Sequence, residues 1–155
     1  MLPRERVMEL LRYNRRAGVF HWKKARGPIW AGRKAGSGGH KERIGVDGIY
    51  YKASHLAWLI VYGYWPEHEI DHIRGYSNRI KNLREATHAE NSRNRQYLRT
   101  ASGIKGVVRS GNRWCARVFV NRMAVHISNH HSKEAARRAY NVAAHKHHGE
   151  FACPS

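Results

Sequence analysis

Apolar residues recur at helical spacing near the start of the chain. In PRERVMELLRY, Val7, Leu10 and Leu11 share one side, and the run stops before the turn-forming NRRAG. A short helix is predicted there. The pattern then becomes strand-like in GVFHWK, ERIGV and IYYKA, the last two joined at Asp47-Gly48, a hairpin signal. The Gly-rich basic stretch WAGRKAGSGGHKER lies between them. It lacks the GKS/T ending and the strand-then-helix setting of a nucleotide-binding loop, so it reads as a flexible connection. Ser54 precedes HLAWLIVYGYW as an N-cap. This run is apolar on nearly all sides, which predicts a helix buried in a small core with Leu56, Trp58, Leu59 and Val61 inside and Trp65-Pro66 at its end.

HEIDHI then reads as a short strand and RIKNLREA as a second. HAENSRNRQYL follows as a helix capped by Thr87, with Glu90 completing a capping box. After a polar connector at Leu98–Gly103 come three strand-like runs, GIKGVVR, RWCARVFV and MAVHIS. They are separated by the turn residues Ser110-Gly111-Asn112 and Asn121-Arg122. In the middle run Trp114, Ala116, Val118 and Val120 fall on one face, and Arg113, Cys115, Arg117 and Phe119 on the other. The expectation is one packed face and one cationic face. Ser132 caps a final helix whose Ala135, Ala136, Ala139, Tyr140, Ala143 and Ala144 form a stripe narrow enough to lie close against a sheet.

Charge narrows the partner. The 155 residues carry 29 Lys+Arg against 11 Asp+Glu, a formal +18 spread over both halves of the chain, which favours a polyanion. Nucleic acid leads; a merely soluble basic protein and a binder of anionic membrane are the blander readings. The start, MLPRERVMELL, lacks the apolar core of a signal peptide, and Leu56–Tyr62 is far short of a membrane span. A soluble, cytoplasmic protein is therefore expected. Cys115 and Cys153 form no CxxC pair and read as free thiols, and the histidines near 130 and 145–148 read as surface rather than a structural zinc site.

Against this background Asp71-His72 stands out. Hydrolysis of a phosphodiester needs an activated water, a cation for the developing charge and help for the departing 3′ oxygen. Neighbours on a strand point to opposite sides, so Asp71 is a metal-ligand candidate and His72 a general-base candidate. Asn91, one turn into the following helix, offers a second oxygen ligand, and Asn82 is a candidate to orient the imidazole. A hard cation, Mg²⁺ with Mn²⁺ as the alternative, suits oxygen donors.

Asp71-His72, NRIKNLREAT and ENSRNR resemble the HNH homing-type endonuclease motif of phages and mobile elements, on a ββα-metal fold. The resemblance implies that Asp71 and Asn91 bind one divalent cation, that His72 is the general base and that Asn82 is the central asparagine. It extends upstream through AGVFHWK, AGSGG and ASHLAWLIVYGYWPEHEIDHI. One departure is visible: IRGYSNRIK, between the histidine and the central asparagine, is about two residues shorter than is common in the family and lacks acids. Residues 103–151 in turn resemble the plant Apetala-type, or ethylene-response-factor, DNA-binding domain, in which a three-stranded sheet enters the major groove and a helix braces it. Lys105, Arg109, Arg113 and Arg117 are the DNA-contact candidates.

The expectation is an α+β protein. It has an HNH domain over 1–97 with its ββα-metal core at about 66–97, a linker at 98–103, and a three-stranded antiparallel sheet packed on one helix over 104–152. It would cut double-stranded DNA in a bacterial or phage-infected cell, with no membrane and no protein partner. The rivals are a non-catalytic, sequence-specific DNA-binding protein and an RNA-binding or RNA-cleaving one.

Overall fold

The computed structural model describes residues 1–38, 42–94 and 100–153. They form a mixed α/β chain with several small sheets, divided into two compact units, Met1–Thr87 and His88–Ser155. That division falls before residue 97, so the helix carrying Asn91 groups with the C-terminal unit. Residues 98 and 99 of the expected linker, and the end of the helix expected to run to Leu98, lie outside the described residues, as do residues 39–41 of the Gly-rich loop. No helix among the described residues is long and apolar enough to cross a membrane.

The first unit opens with α1 (Arg4–Leu10), then β1 (Leu11–Asn14), β2 (Val19–Trp22) and β3 (Lys34–Ala35) in one antiparallel sheet, order β1-β2-β3. The expected helix therefore ends sooner than its apolar spacing suggested. Leu11 turns extended because it pairs with Trp22 and buries its side chain in the core from a strand instead. Next come β4 (Arg43–Val46) and β5 (Ile49–Lys52), a hairpin whose turn residues Asp47 and Gly48 both have positive φ, +49° and +80°. Those values match the turn that suits the twist of paired strands.

Helix α2 (Ala53–Tyr62) follows directly. Its N-cap position is Lys52, without a side-chain cap, and Ser54 lies buried in the first turn, its Oγ 3.3 Å from His55 Nδ1. Capping is dispensable here because burial holds the helix: Leu56, Ala57, Trp58, Leu59 and Ile60 join Val7, Phe20, Trp22, Ile44 and Val46 in one core, while Val61 is half-exposed. Gly63 closes the helix in the left-handed conformation, before Trp65-Pro66 is reached. Then β6 (Glu69–His72) pairs antiparallel with β7 (Leu83–Ala86), and a single 3₁₀ turn, Ile80–Asn82, leads into β7.

The second unit holds α3 (His88–Asn94), β8 (Val107–Ser110), β9 (Arg113–Val120), β10 (Met123–His130) and α4 (Lys133–His148). The sheet is antiparallel in the order β10-β9-β8. Its inner face, with Val107, Ala116 and Val118, packs on Ala136, Tyr140, Ala143 and Ala144 of α4. Ser132 caps α4 as expected, its Oγ accepting from Ala135 N at 3.1 Å. The close fit depends on Gly106, φ +70°, where an added Cβ would lie 2.1 Å from Tyr140 Cε2. Cys115 and Cys153 are free and buried.

Candidate active site

The β6–β7 ladder sets the site. Ile70 and Leu83 point into the core and anchor the pair, which leaves Asp71 opposite Arg84 and His72 opposite Leu83. Directly opposed residues share a face, so Arg84 reaches Asp71 across the ladder. Its Nε and Nη2 donate to Asp71 Oδ2 at 2.9 and 2.8 Å. Asp71 is 5% exposed, and a carboxylate that far from water requires such a partner. Arg84 was not singled out from the sequence, although alternation on paired strands is the signal that points to it.

Beyond His72 the chain forms the short loop to Asn82. The backbone closes it, Ile73 N donating to Asn82 O at 2.9 Å. The Asn82 side chain then pins it from inside. Its Oδ1 accepts from Arg74 N at 2.9 Å, and its Nδ2 donates to Arg74 O at 2.9 Å and Ser77 O at 2.8 Å. The amide thus bonds to loop backbone rather than to the imidazole, which differs from the position beside His72 expected of it. Asn78 meets His72 instead, with Oδ1 2.9 Å from Nε2.

Asn78 is itself buried, and its Nδ2 donates to Glu42 Oε2 at 3.0 Å. Its backbone is clamped as well. The Tyr13 hydroxyl donates to Asn78 O at 2.5 Å, and burial pushes the phenol pKa up to about 12, keeping the donor protonated. Gly18, φ +73°, brings the β1–β2 turn so close that a Cβ there would lie 2.4 Å from Arg79 N. Arg15 and Arg16 of this turn are exposed, as are Arg74, Arg79 and Lys81 of the loop and 3₁₀ turn.

Among the described residues no group of three or more His, Cys, Asp or Glu side chains gathers as a metal centre, the C-terminal histidines included. The two cation-ligand candidates, the Asp71 carboxylate in the first unit and the Asn91 amide in the second, each carry a hard oxygen of the kind that Mg²⁺ takes alongside waters and phosphate. Asp71 Oδ2 accepts both Arg84 bonds, so the carboxylate is fixed in orientation. Asn91 is half-buried on α3, in the second unit.

The four DNA-contact candidates separate on the C-terminal unit. Arg113 and Arg117 are exposed on the face away from α4. Arg109 lies over the Trp114 ring, 5.1 Å from its centroid, and donates to Gly111 O at 2.8 Å. Lys105 is half-buried, donates to Arg93 O, and has its pKa lowered by burial. The outer face is not purely cationic: Val108, Phe119 and Ile127 are exposed beside the arginines.

Residues 51–93 match a protein-family model described as HNH endonuclease. The matched span runs from β5 through α2, β6, the pinned loop and β7 into α3, so it contains Asp71, His72, Asn78, Asn82 and Asn91. An HNH endonuclease family domain is therefore present in this part of the chain. Comparison with the curated proteins and with solved structures gave no match.

Proposed function

We propose that the chain is a metal-dependent DNA endonuclease whose HNH segment cuts and whose C-terminal sheet anchors duplex DNA. The observation that supports this most is the pairing, at the end of β6 and inside the family match, of an arginine-held Asp71 with a His72 braced by Asn78. In this reading His72 is the general base: it takes a proton from water, whose oxygen attacks phosphorus while the P–O3′ bond breaks and its electron pair leaves with the 3′ oxygen. Asp71 and Asn91 would hold one divalent cation, Mg²⁺ or alternatively Mn²⁺. Such a cation, when bound, stabilises charge on the phosphate and the leaving oxygen. Arg84 fixes the Asp71 carboxylate, and Asn82 fixes the loop that carries Asn78.

The exposed Arg15, Arg16, Arg74, Arg79 and Lys81 supply phosphate contacts around this site. On the C-terminal sheet, Arg113 and Arg117 are the base-reading residues, since arginine pairs with guanine edges in the major groove. Arg109, held at the sheet's rim, contacts phosphate, and Lys105 serves the fold more than the DNA. The homing or phage setting and the Apetala-like role of the sheet belong to this proposal.

Supercoiled plasmid incubated with the purified protein tests it. Nicked or linear product is expected with Mg²⁺ and none with chelator. Undiminished cutting in chelator would overturn the metal-dependent reading, and cutting of RNA alone would overturn the DNA substrate.

A further inference from the structure

Glu42 is one of eleven acids in a chain of net charge +18, and it is buried, at 8% exposure. A carboxylate stays buried only where hydrogen bonds and counter-charge offset its lost hydration. Here Gly38 N donates to Oε1 at 3.2 Å, Lys34 Nζ lies 3.6 Å from the same oxygen, and Asn78 Nδ2 donates to Oε2 at 3.0 Å. The backbone makes room for it: at Gly36, φ +93°, an added Cβ would lie 2.9 Å from Glu42 Cγ and Oε1.

The bonding roles along this chain of groups follow from one another. Glu42 Oε2 accepts from the Asn78 NH₂, so Asn78 turns its Oδ1 to His72. That oxygen in turn only accepts, so the proton of the neutral imidazole sits on Nε2, 2.9 Å away, and the lone pair is on Nδ1. We infer that Glu42 and Asn78 are positioning residues for His72, fixing its ring orientation and its tautomer so that Nδ1 is the nitrogen that accepts the proton. The inference rests on His72 being the general base. Glu42, like the Tyr13 and Gly18 that clamp Asn78, lies upstream of the family-matched segment, so a part of the chain outside the match would set the chemistry within it.

The test exchanges the carboxylate. In Glu42→Gln the amide oxygen is held at the Oε1 position by Gly38 N and Lys34, so the NH₂ faces Asn78. The Asn78 amide then flips, and its NH₂ requires a lone pair on His72 Nε2. Long-range ¹⁵N–¹H correlation spectra of the ring, recorded where the imidazole is neutral, should show the proton moved from Nε2 to Nδ1. Plasmid cleavage should fall roughly 10²-fold, with DNA binding and thermal stability close to the parent's. Adding Asn78→Asp to Glu42→Gln restores an acceptor facing Nε2, and both the Nε2–H signal and much of the cleavage should return. An unchanged tautomer in Glu42→Gln overturns the inference, as does a changed tautomer with undiminished cleavage. His72→Ala, run in parallel, separates the two readings: if it cuts like the parent, the base assignment fails, while the spectra still report on the Glu42–Asn78 coupling.

Discussion

Asn82→Ala is the substitution at which a role on the imidazole and a role in the loop lead to different outcomes. The side chain makes three hydrogen bonds, all to the backbone of Arg74 and Ser77. Each neutral bond contributes about 0.5–1.5 kcal/mol net, and water reaches this half-exposed amide, so the loss should total about 2 kcal/mol. For a unit the size of Met1–Thr87 that corresponds to a melting-temperature drop of roughly 8–16 °C. Cleavage should fall as well, because the loop carries Asn78. Asn82→Asp sharpens the case. It keeps an acceptor for Arg74 N but turns a second oxygen toward the Arg74 and Ser77 carbonyls, so it should be at least as destabilising as alanine. Thermal unfolding of both variants, with hydrogen exchange at the Arg74 amide, is the assay. If cleavage is lost while melting temperature and Arg74 protection stay at parental values, the loop-pinning role is wrong and Asn82 acts elsewhere.

Arg84→Ala leaves Asp71 buried without its guanidinium, which should cost about 3 kcal/mol in urea unfolding, with Mg²⁺ restoring more stability to the variant than to the parent. Gly106→Ala forces a Cβ against the Tyr140 ring at a backbone angle that disfavours side chains. The C-terminal unit should lose about 2–4 kcal/mol, visible as an early unfolding transition and weaker DNA binding. The His55 pKa is pushed down to about 4, chiefly by burial, with Lys52 adding to the effect and Glu69 opposing it. Its unfolded value is about 6.5, so the unfolded chain binds the extra proton between pH 6.5 and 4. Stability should therefore fall by about 1–2 kcal/mol as pH drops through that window and level off below it. His55→Gln should flatten this slope in urea titrations at pH 7, 5 and 4.

Much of this architecture is legible in the pattern of residues, since burial periodicity and turn chemistry are local. The Asp47-Gly48 hairpin and the Ser132 cap are in place, and so is the β9 alternation except at Cys115, which is buried although it was expected on the cationic face. Where tertiary packing competes with a local signal, packing decides the outcome. Leu11 leaves the helical pattern to pair with Trp22, and Ser54 is drawn into the core instead of capping α2. The adjacency of Asp71 and His72 is readable, but what braces them is not. Arg84 is thirteen positions from Asp71, and Glu42 is thirty-six from Asn78. Asn78 and Asn82 are alike in sequence; only the closed loop distinguishes the one aimed at the imidazole from the one that holds the turn.

In the proposed mechanism His72 performs the chemistry and does not anchor the DNA. Single-turnover cleavage of supercoiled plasmid with saturating Mg²⁺, comparing His72→Ala with the parent at matched DNA occupancy, measures this directly. A loss of about 10²–10⁴-fold in the cleavage rate with little change in affinity is the predicted result. Cleavage by His72→Ala at the parental rate, or a loss that disappears once the DNA is saturated with protein, would contradict it.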